Sequence, residues 1–405
     1  MKICVVGSGG REHALADVLG RHHDVVVSPG NPGIPGSTAT APEEIDADLF
    51  VIGPEAPLVD GLADRLRAAG RPVFGPGADG AQLEGSKAWM KELLVEAGVP
   101  TAAYGAFTDA DQAKVFLDGL RAPFVIKTDG LAAGKGVAIV PTRAEADACV
   151  DRYLSGEAFG DAGRTLVIEE YLDGDELSVF AACDGTRAVL MGAARDHKRI
   201  DDGDQGPNTG GMGAFSPVAE ADEALCRQVM DEAIVPTLAS LRRRGIDYRG
   251  FLFCGVMLCA DGPRVLEYNI RFGDPEAQVV LPRLENDLGV VLAEAAAGRL
   301  VTEPRFSPDS AVTVVAASEG YPEAPRTGDA IEGLDEAVAI DGVTIYCAGV
   351  DRGADDQLIT AGGRVLAVTA RGRDLADARS RAYEAVDRIE WKGMHVRRDI
   401  GGTTS

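Results

Sequence analysis

The stretch MKICVVGSGGREHALADVLG, residues 1–20, carries the reading of the fold. Residues 3–6 are an apolar run and predict a buried strand. GSGGREH then turns the chain, and residues 12–20 have helical spacing. A strand that enters a helix through glycines is how a doubly wound sheet begins. The alternation continues: residues 24–27 and 49–52 predict strands, 60–69 a helix and 72–74 another strand. Residues 86–97 read as a helix stopped by Gly98, and Pro100 punctuates the chain. The expected first unit is therefore an N-terminal doubly wound parallel sheet over residues 1–101.

From residue 102 the pattern changes. Strands are expected at 124–127, 136–140, 165–170, 178–183, 250–259 and 264–269, with helices at 220–244 and 287–297. A last stretch, 306–405, reads as a small α+β unit, with strands at 311–316, 343–346 and 365–369 and a helix at 374–388. The expected class is α/β and α+β multidomain, with units 1–101, 102–305 and 306–405.

The composition narrows the partners. The chain has 405 residues, with 40 Lys and Arg against 64 Asp and Glu, a formal charge of −24. Wide contact with DNA or RNA needs a basic face, so no nucleic-acid partner is expected. A polybasic membrane surface is excluded likewise, and no apolar run nears the roughly 18 residues of a membrane span. The 7 cysteines are scattered without a Cys-x-x-Cys pair, as in a reduced cytoplasmic protein.

Three glycine loops invite anions. GSGGREH half-matches a dinucleotide fingerprint, but Glu12 stands where the third glycine belongs. VVVSPGN, ending the second strand, has no acid for a ribose hydroxyl, so a phosphate-bearing small molecule fits better than a nicotinamide cofactor. A tight turn without ligand is the plainer alternative. GPEAPLVDG, residues 53–61, lies at the same end of the sheet and offers Glu55. DGLAAGKGV, residues 129–137, lies between two strands; it lacks the P-loop spacing but can fold over a polyphosphate beside Lys127. A bare surface hairpin is the alternative there.

VLEYNIRFGDPEAQ, residues 265–278, says most about chemistry. On a strand, Glu267, Asn269 and Arg271 share one face. A carboxylate and an amide oxygen suit Mg²⁺ shared with phosphates, and an arginine one step on can neutralise a phosphoryl group in transfer. The plain alternative is a solvated polar face. EEYLDGDELS, residues 169–178, places acids within reach of an adenosine, and DHKRIDDGDQGPNTGGMGAFSP, residues 196–217, is long enough to be functional. His197 has no partner histidine for a metal, and His13, His22, His23 and His395 read as surface or packing residues.

Taken in order, GSGGREHAL, GPEAPLVDG, LEGSKAWMK, VIKTDGLAAGKGV, VIEEYLDGDELS, DHKR, GDQGPNTGGMGAFSP, RFGDPEAQ, TAGGRVLAVTA and RRDIG resemble the phosphoribosylamine–glycine ligase family of the ATP-grasp superfamily. The resemblance runs nearly end to end. It implies a central ATP-grasp fold with a mobile lid at about residues 118–187. It implies joining of glycine to 5-phosphoribosylamine, with ATP as co-substrate and Mg²⁺ or Mn²⁺, through a glycyl phosphate, by a monomer. Glu267 and Asn269 match the family's metal ligands. Lys87 and Lys127 match its ATP-contacting lysines, and Gly134, Lys135 and Gly136 its phosphate-covering loop. Glu169, Leu172 and Glu176 fall in the adenosine stretch, and Arg271 resembles the transition-state arginine. Gly9, Gly10, Arg11 and Glu55 lie in the loops for phosphoribosylamine. Asp274 and the Asn208–Gly213 loop, with Asn208, Thr209, Gly210 and Gly211, fall where the family's glycine end and acyl phosphate should be. Thr128, Pro32 and Cys347 depart from the family's usual Ala, Ala and His. Another ATP-grasp ligase or carboxylase would share the lysines and metal strand but not RFGDPE with GPNTGGMG. A silent nucleotide-binding module would have lost Glu267, Asn269 or Arg271.

Overall fold

The computed structural model describes residues 1–130, 136–156 and 164–402. Strands β1 (Lys2–Gly7), β2 (Asp24–Pro29), β3 (Leu49–Ile52) and β4 (Val73–Phe74) form a parallel sheet in the order β2-β1-β3-β4. Ile3, Val5 and Val51 face one core and Cys4, Phe50 and Ile52 the other, as strands covered on both faces require. The expected helix at 60–69 is Leu62–Ala68, preceded by a separate turn Glu55–Val59. The break falls at Gly61, whose φ of +74° no continuing helix can use.

Strands β5 (Tyr104–Phe107), β6 (Phe124–Thr128), β7 (Val137–Val140) and β8 (Leu166–Glu169) make an antiparallel sheet in the order β5-β8-β6-β7. Helices Ala110–Leu117 and Arg143–Leu154 cover it, and Ile126, Leu166 and Ile168 pack on Ala113, Leu117 and Val150 in a core of its own. The strands of this sheet lie between Tyr104 and Glu169. Pairing sets those limits: Tyr104–Phe107 zips onto β8, while the next strand, β9 (Asp175–Asp184), pairs elsewhere.

That next strand opens the main sheet. With β9 come β10 (Ala188–Asp196), the hairpin β11 (Arg199–Asp201) and β12 (Gln205–Asn208), then β13 (Gly213–Ser216), β14 (Arg249–Cys259), β15 (Gly262–Asn269) and β16 (Ser310–Ala317). β17 (Val343–Cys347), the small pair β18 (Val350–Arg352) and β19 (Leu358–Thr360), and β20 (Arg364–Gly372) complete the chain's strands among the described residues. Eight of these form one antiparallel sheet, β15-β14-β9-β10-β13-β16-β20-β17. The C-terminal strands are thus not a sheet apart. β13 presents an edge, β16 pairs with it from Gly213↔Val314 to Ser216↔Ala311, and the helix Leu375–Val386 helps bury the added strands. The expected long helix at 220–244 runs from Glu223 to Arg243 with a π-turn, Met230–Ile234, just before Pro236. Proline supplies no N–H there, and a local widening accommodates it.

Candidate active site

β15 forms the floor. Tyr268 and Ile270 point into the core, where the Tyr268 hydroxyl meets Thr237 Oγ1 at 3.0 Å. Glu267 and Asn269 therefore turn the other way, into a cavity of about 340 Å³. Burial alone would raise the pKa of Glu267; Lys198, Lys127, Lys87 and Arg271 outweigh it and hold the group below the ordinary carboxylate range. An ionised carboxylate beside an amide oxygen is a donor set for a hard divalent cation. Among the described residues no cluster of three or more His, Cys, Asp or Glu could hold a metal by itself. The fit is thus to a cation that takes its other ligands from phosphates and water.

Two lysines line the cavity from opposite elements. Lys127, on β6, sits 2.9 Å from Glu169 Oε1. Lys87, at the start of the helix Lys87–Ala97, donates to the Gly130 carbonyl at 2.9 Å. That helix begins where Ser86 Oγ accepts from Trp89 N–H and itself donates to Asp129 at 3.0 Å. One turn on, Lys91 is fully buried and 3.0 Å from Glu169 Oε2. Burial lowers its pKa to about 8 against the pull of Glu169. Glu169 remains ionised because Lys127 and Lys91 together overcome its burial.

The turn after β15 owes its shape to Phe272. Its ring stacks on Phe180 at 4.3 Å and meets Phe251 edge-on at 4.9 Å. Pinned there, the turn directs Arg271 and Asp274 into the cavity. Arg271 donates to Glu55 and Glu84, each at 3.2 Å. Glu55 stays ionised because Arg271 and Arg11 offset its burial. Asp274 is likewise buried yet ionised, held by Arg364, Arg11 and the Gln278 amide. Arg364 comes from β20 and is a hub: Nη1 donates to the carbonyls of Gly210 at 2.6 Å and Asp274 at 2.7 Å, while Nη2 lies 3.3 Å from Asp274 Oδ2. Gly211 has φ +112°, and a Cβ there would stand 2.5 Å from Pro275 Cδ.

The first glycine loop explains its odd glutamate. Glu12 folds back to accept from Gly9 N–H at 2.7 Å and Arg11 Nε at 2.6 Å. Its carboxylate fills the room left by Gly53, where a Cβ would come within 2.2 Å of Oε1. The helix N-terminus is thus occupied by an internal carboxylate, and Arg11 is presented to the cavity instead.

Of the residues singled out from sequence, Arg11, Glu55, Lys87, Lys127, Gly136, Gly210, Glu267, Asn269, Arg271 and Asp274 line this one cavity. Gly9 and Gly10 stand beside it, a Cβ on Gly9 lying 3.5 Å from Asp274 Oδ2. Glu169 acts from behind the lysines. Glu176 pairs with Lys198, Leu172 is buried, and Asn208, Thr209 and Gly211 flank Gly210 without lining the cavity. Gly134 and Lys135 lie outside the described residues. Sequence reasoning missed Glu84, Lys91 and Arg364. Lys91 had a signal, since it sits four residues from Lys87 on the same helix face. Arg364 had none, because only the fold carries β20 to the cavity.

A parallel domain, a small antiparallel sheet and a large one, closing on a cavity with two opposed lysines and a carboxylate–amide strand, are the parts of an ATP-grasp enzyme. The comparisons narrow this further. Profiles of the phosphoribosylglycinamide synthetase N domain, ATP-grasp (A) domain and C domain match residues 1–84, 85–277 and 311–403. A phosphoribosylamine–glycine ligase of Caulobacter vibrioides is 49% identical over 423 aligned residues, spanning 99% of this chain and 98% of that protein. One from Leifsonia xyli is 47% identical, covering 99% of each. The crystal structure of phosphoribosylamine–glycine ligase from Thermotoga maritima superposes with a TM-score of 0.88 at 34% identity, covering 98% of this chain and 100% of that one. A biotin carboxylase of Campylobacter jejuni, at 15% identity and TM-score 0.73, shares the fold. The chain belongs to the phosphoribosylglycinamide synthetase family, and it carries that family's ADP-forming ligation of glycine to 5-phosphoribosylamine in purine biosynthesis.

Proposed function

We propose that the reaction runs through glycyl phosphate in the cavity over β15. The carrying observation is that Glu267 and Asn269 share one cavity with Lys87, Lys127 and Arg271. ATP would lie with its phosphates on Lys87 and Lys127, and Glu267 with Asn269 would hold Mg²⁺ or Mn²⁺, which would supply neutralisation of phosphate charge. A carboxylate oxygen of glycine bonds to the γ-phosphorus as the bond to ADP breaks, and Arg271 stabilises the charge that builds there. The amine nitrogen of phosphoribosylamine then bonds to the glycyl carbonyl carbon; inorganic phosphate leaves, and the nitrogen sheds a proton to solvent. Asp274 takes the glycine ammonium group, and Arg11 with Glu55 hold phosphoribosylamine at the N-terminal loops. One chain supplies every one of these groups, so the site needs no second copy; a monomer in the cytoplasm is the reading we propose.

The test is an ADP-release assay with each substrate omitted in turn. ADP release that needs glycine, phosphoribosylamine and ATP together supports the reading; release indifferent to glycine sinks it. Arg271→Ala should cost about 2.7–4 kcal/mol in kcat, as for loss of one preorganised donor. Near-normal turnover would remove Arg271 from its role. Glu267→Gln should weaken the divalent-cation titration, and an unchanged titration would take it out of the metal site.

A further inference from the structure

The hairpin β11–β12 stands beside the cavity, and its base carries two groups of the site. Thr209 closes that base: its N–H and hydroxyl both donate to the Lys198 carbonyl, at 2.7 and 2.8 Å, and its Oγ1 accepts from Gly211 N–H at 3.0 Å. Lys198 then pairs with Glu176 and adds its charge beside Glu267, while Gly210 lines the cavity.

The C-terminal tail grips the hairpin's other side residue by residue. His395 Nε2 meets the Ile200 carbonyl at 2.8 Å, Arg398 N–H donates to Asp202 at 2.7 Å, and Asp399 accepts from Gly203 N–H at 2.8 Å. Between them lies Arg397, whose side chain is 1% exposed. Its fork makes two bonds to Asp399, at 2.7 and 2.6 Å. Its Nη1 donates to Asp204 at 2.6 Å and to the Arg199 carbonyl at 3.1 Å. Nη2 also reaches His197 Nδ1 at 3.4 Å. A guanidinium only donates, so that nitrogen of His197 accepts. Asp204 sits at φ +55°, in the left-handed region that aspartate enters more readily than most residues. None of these tail residues lines the active cavity.

We infer that Arg397 is a positioning residue for the ligase reaction: it locks the β11–β12 hairpin from behind and so sets Lys198 and the Gly210–Gly211 turn against the cavity. A lysine could not replace it, because one ammonium cannot bridge Asp399, Asp204 and a carbonyl in a fixed plane. The inference rests on the assignment of the Asn208–Gly211 loop to the glycine end.

The experiment compares Arg397→Met, Arg397→Lys and Asp204→Asn in the full chain. Asp204 is 61% exposed, so its variant keeps the test open should the arginine variants fail to fold. The Arg397 variants should lose up to about 10²-fold in kcat/KM for glycine, the scale of a small misplacement, with a lesser loss for Asp204→Asn. ATP affinity, measured by calorimetry, should fall less than kcat/KM for glycine, since Lys198 also pairs with Glu176. A merely structural role would lower Tm and the active fraction but leave the glycine and ATP constants of the folded enzyme alone, and that result overturns the inference. An equal loss in ATP affinity overturns it too. Gly210→Ala, at the loop residue that lines the cavity, separates the two assignments. If it leaves kcat/KM for glycine intact, the loop is not the glycine end and the lock has nothing to position. If it impairs glycine use and the Arg397 variants do not, the lock alone falls.

Discussion

The sheet unit at 104–169 and the C-terminal strands both flank the cavity, but they are fastened to the body by different forces. The first has its own small core, and its attachments are largely polar: Lys91 on Glu169, Ser86 on Asp129, Lys87 on the Gly130 carbonyl, and Arg264 on Glu170 at 3.1 Å. The second is fused through the β13–β16 ladder, and Leu366 and Val368 share one core with Leu252 and Tyr268. Several polar ties of the first unit use groups assigned to ATP, so a nucleotide can compete for them. The fused side carries Arg364, which bonds the Asp274 and Gly210 carbonyls at once. One flank of the cavity is thus held by polar bonds and the other by shared buried surface.

The largest test of that contrast is Lys91→Met. Removing one partner of a buried pair costs about 3–5 kcal/mol, with the lower end expected because Lys127 still faces Glu169. Hydrogen exchange should quicken across residues 104–169 while the eight-stranded sheet keeps its protection. A uniform loss in both would erase the distinction. Core truncations come next, at about 2–5 kcal/mol each. Ile126→Ala should loosen only the small sheet, whereas Leu366→Ala should lower the unfolding midpoint of the whole body. If Leu366→Ala instead released the C-terminal strands alone, the shared core would not be what fastens them.

The smallest effect is a pH slope. Glu276, beside the cavity turn, is pushed up to about 8, first by burial and then by Asp196, against Lys198 and Arg271. A carboxyl whose pKa is raised on folding adds stability that is complete below its unfolded value and fades as pH climbs through the folded one. Tm should therefore fall between about pH 4.5 and 8 and level off above that, and Glu276→Gln should flatten that slope. An identical slope in the variant would assign it to other groups.

Much of this was legible in the residues. β1, β3 and the helix Lys87–Ala97 were readable because apolar periodicity and local stops, such as Gly98, act over a few neighbours. Glu267 and Asn269 were readable as a pair because a strand puts alternate residues on one face. The extent of the small sheet was not, since Tyr104–Phe107 has no local sign of which strand it will join. Nor was the π-turn before Pro236, or the use of Glu12 as an internal cap.

Local chemistry, then, was written in order along the chain: which segments bend, which bury, and which carry oxygen donors or cations. Only the folded molecule decided that Arg364 and Asp274, 90 positions apart, share a bond, and that Arg397 stands behind Arg199, 198 positions away. Such pairings depend on which sheet edges meet, and an edge's choice of partner is a property of the whole packed core rather than of any one segment.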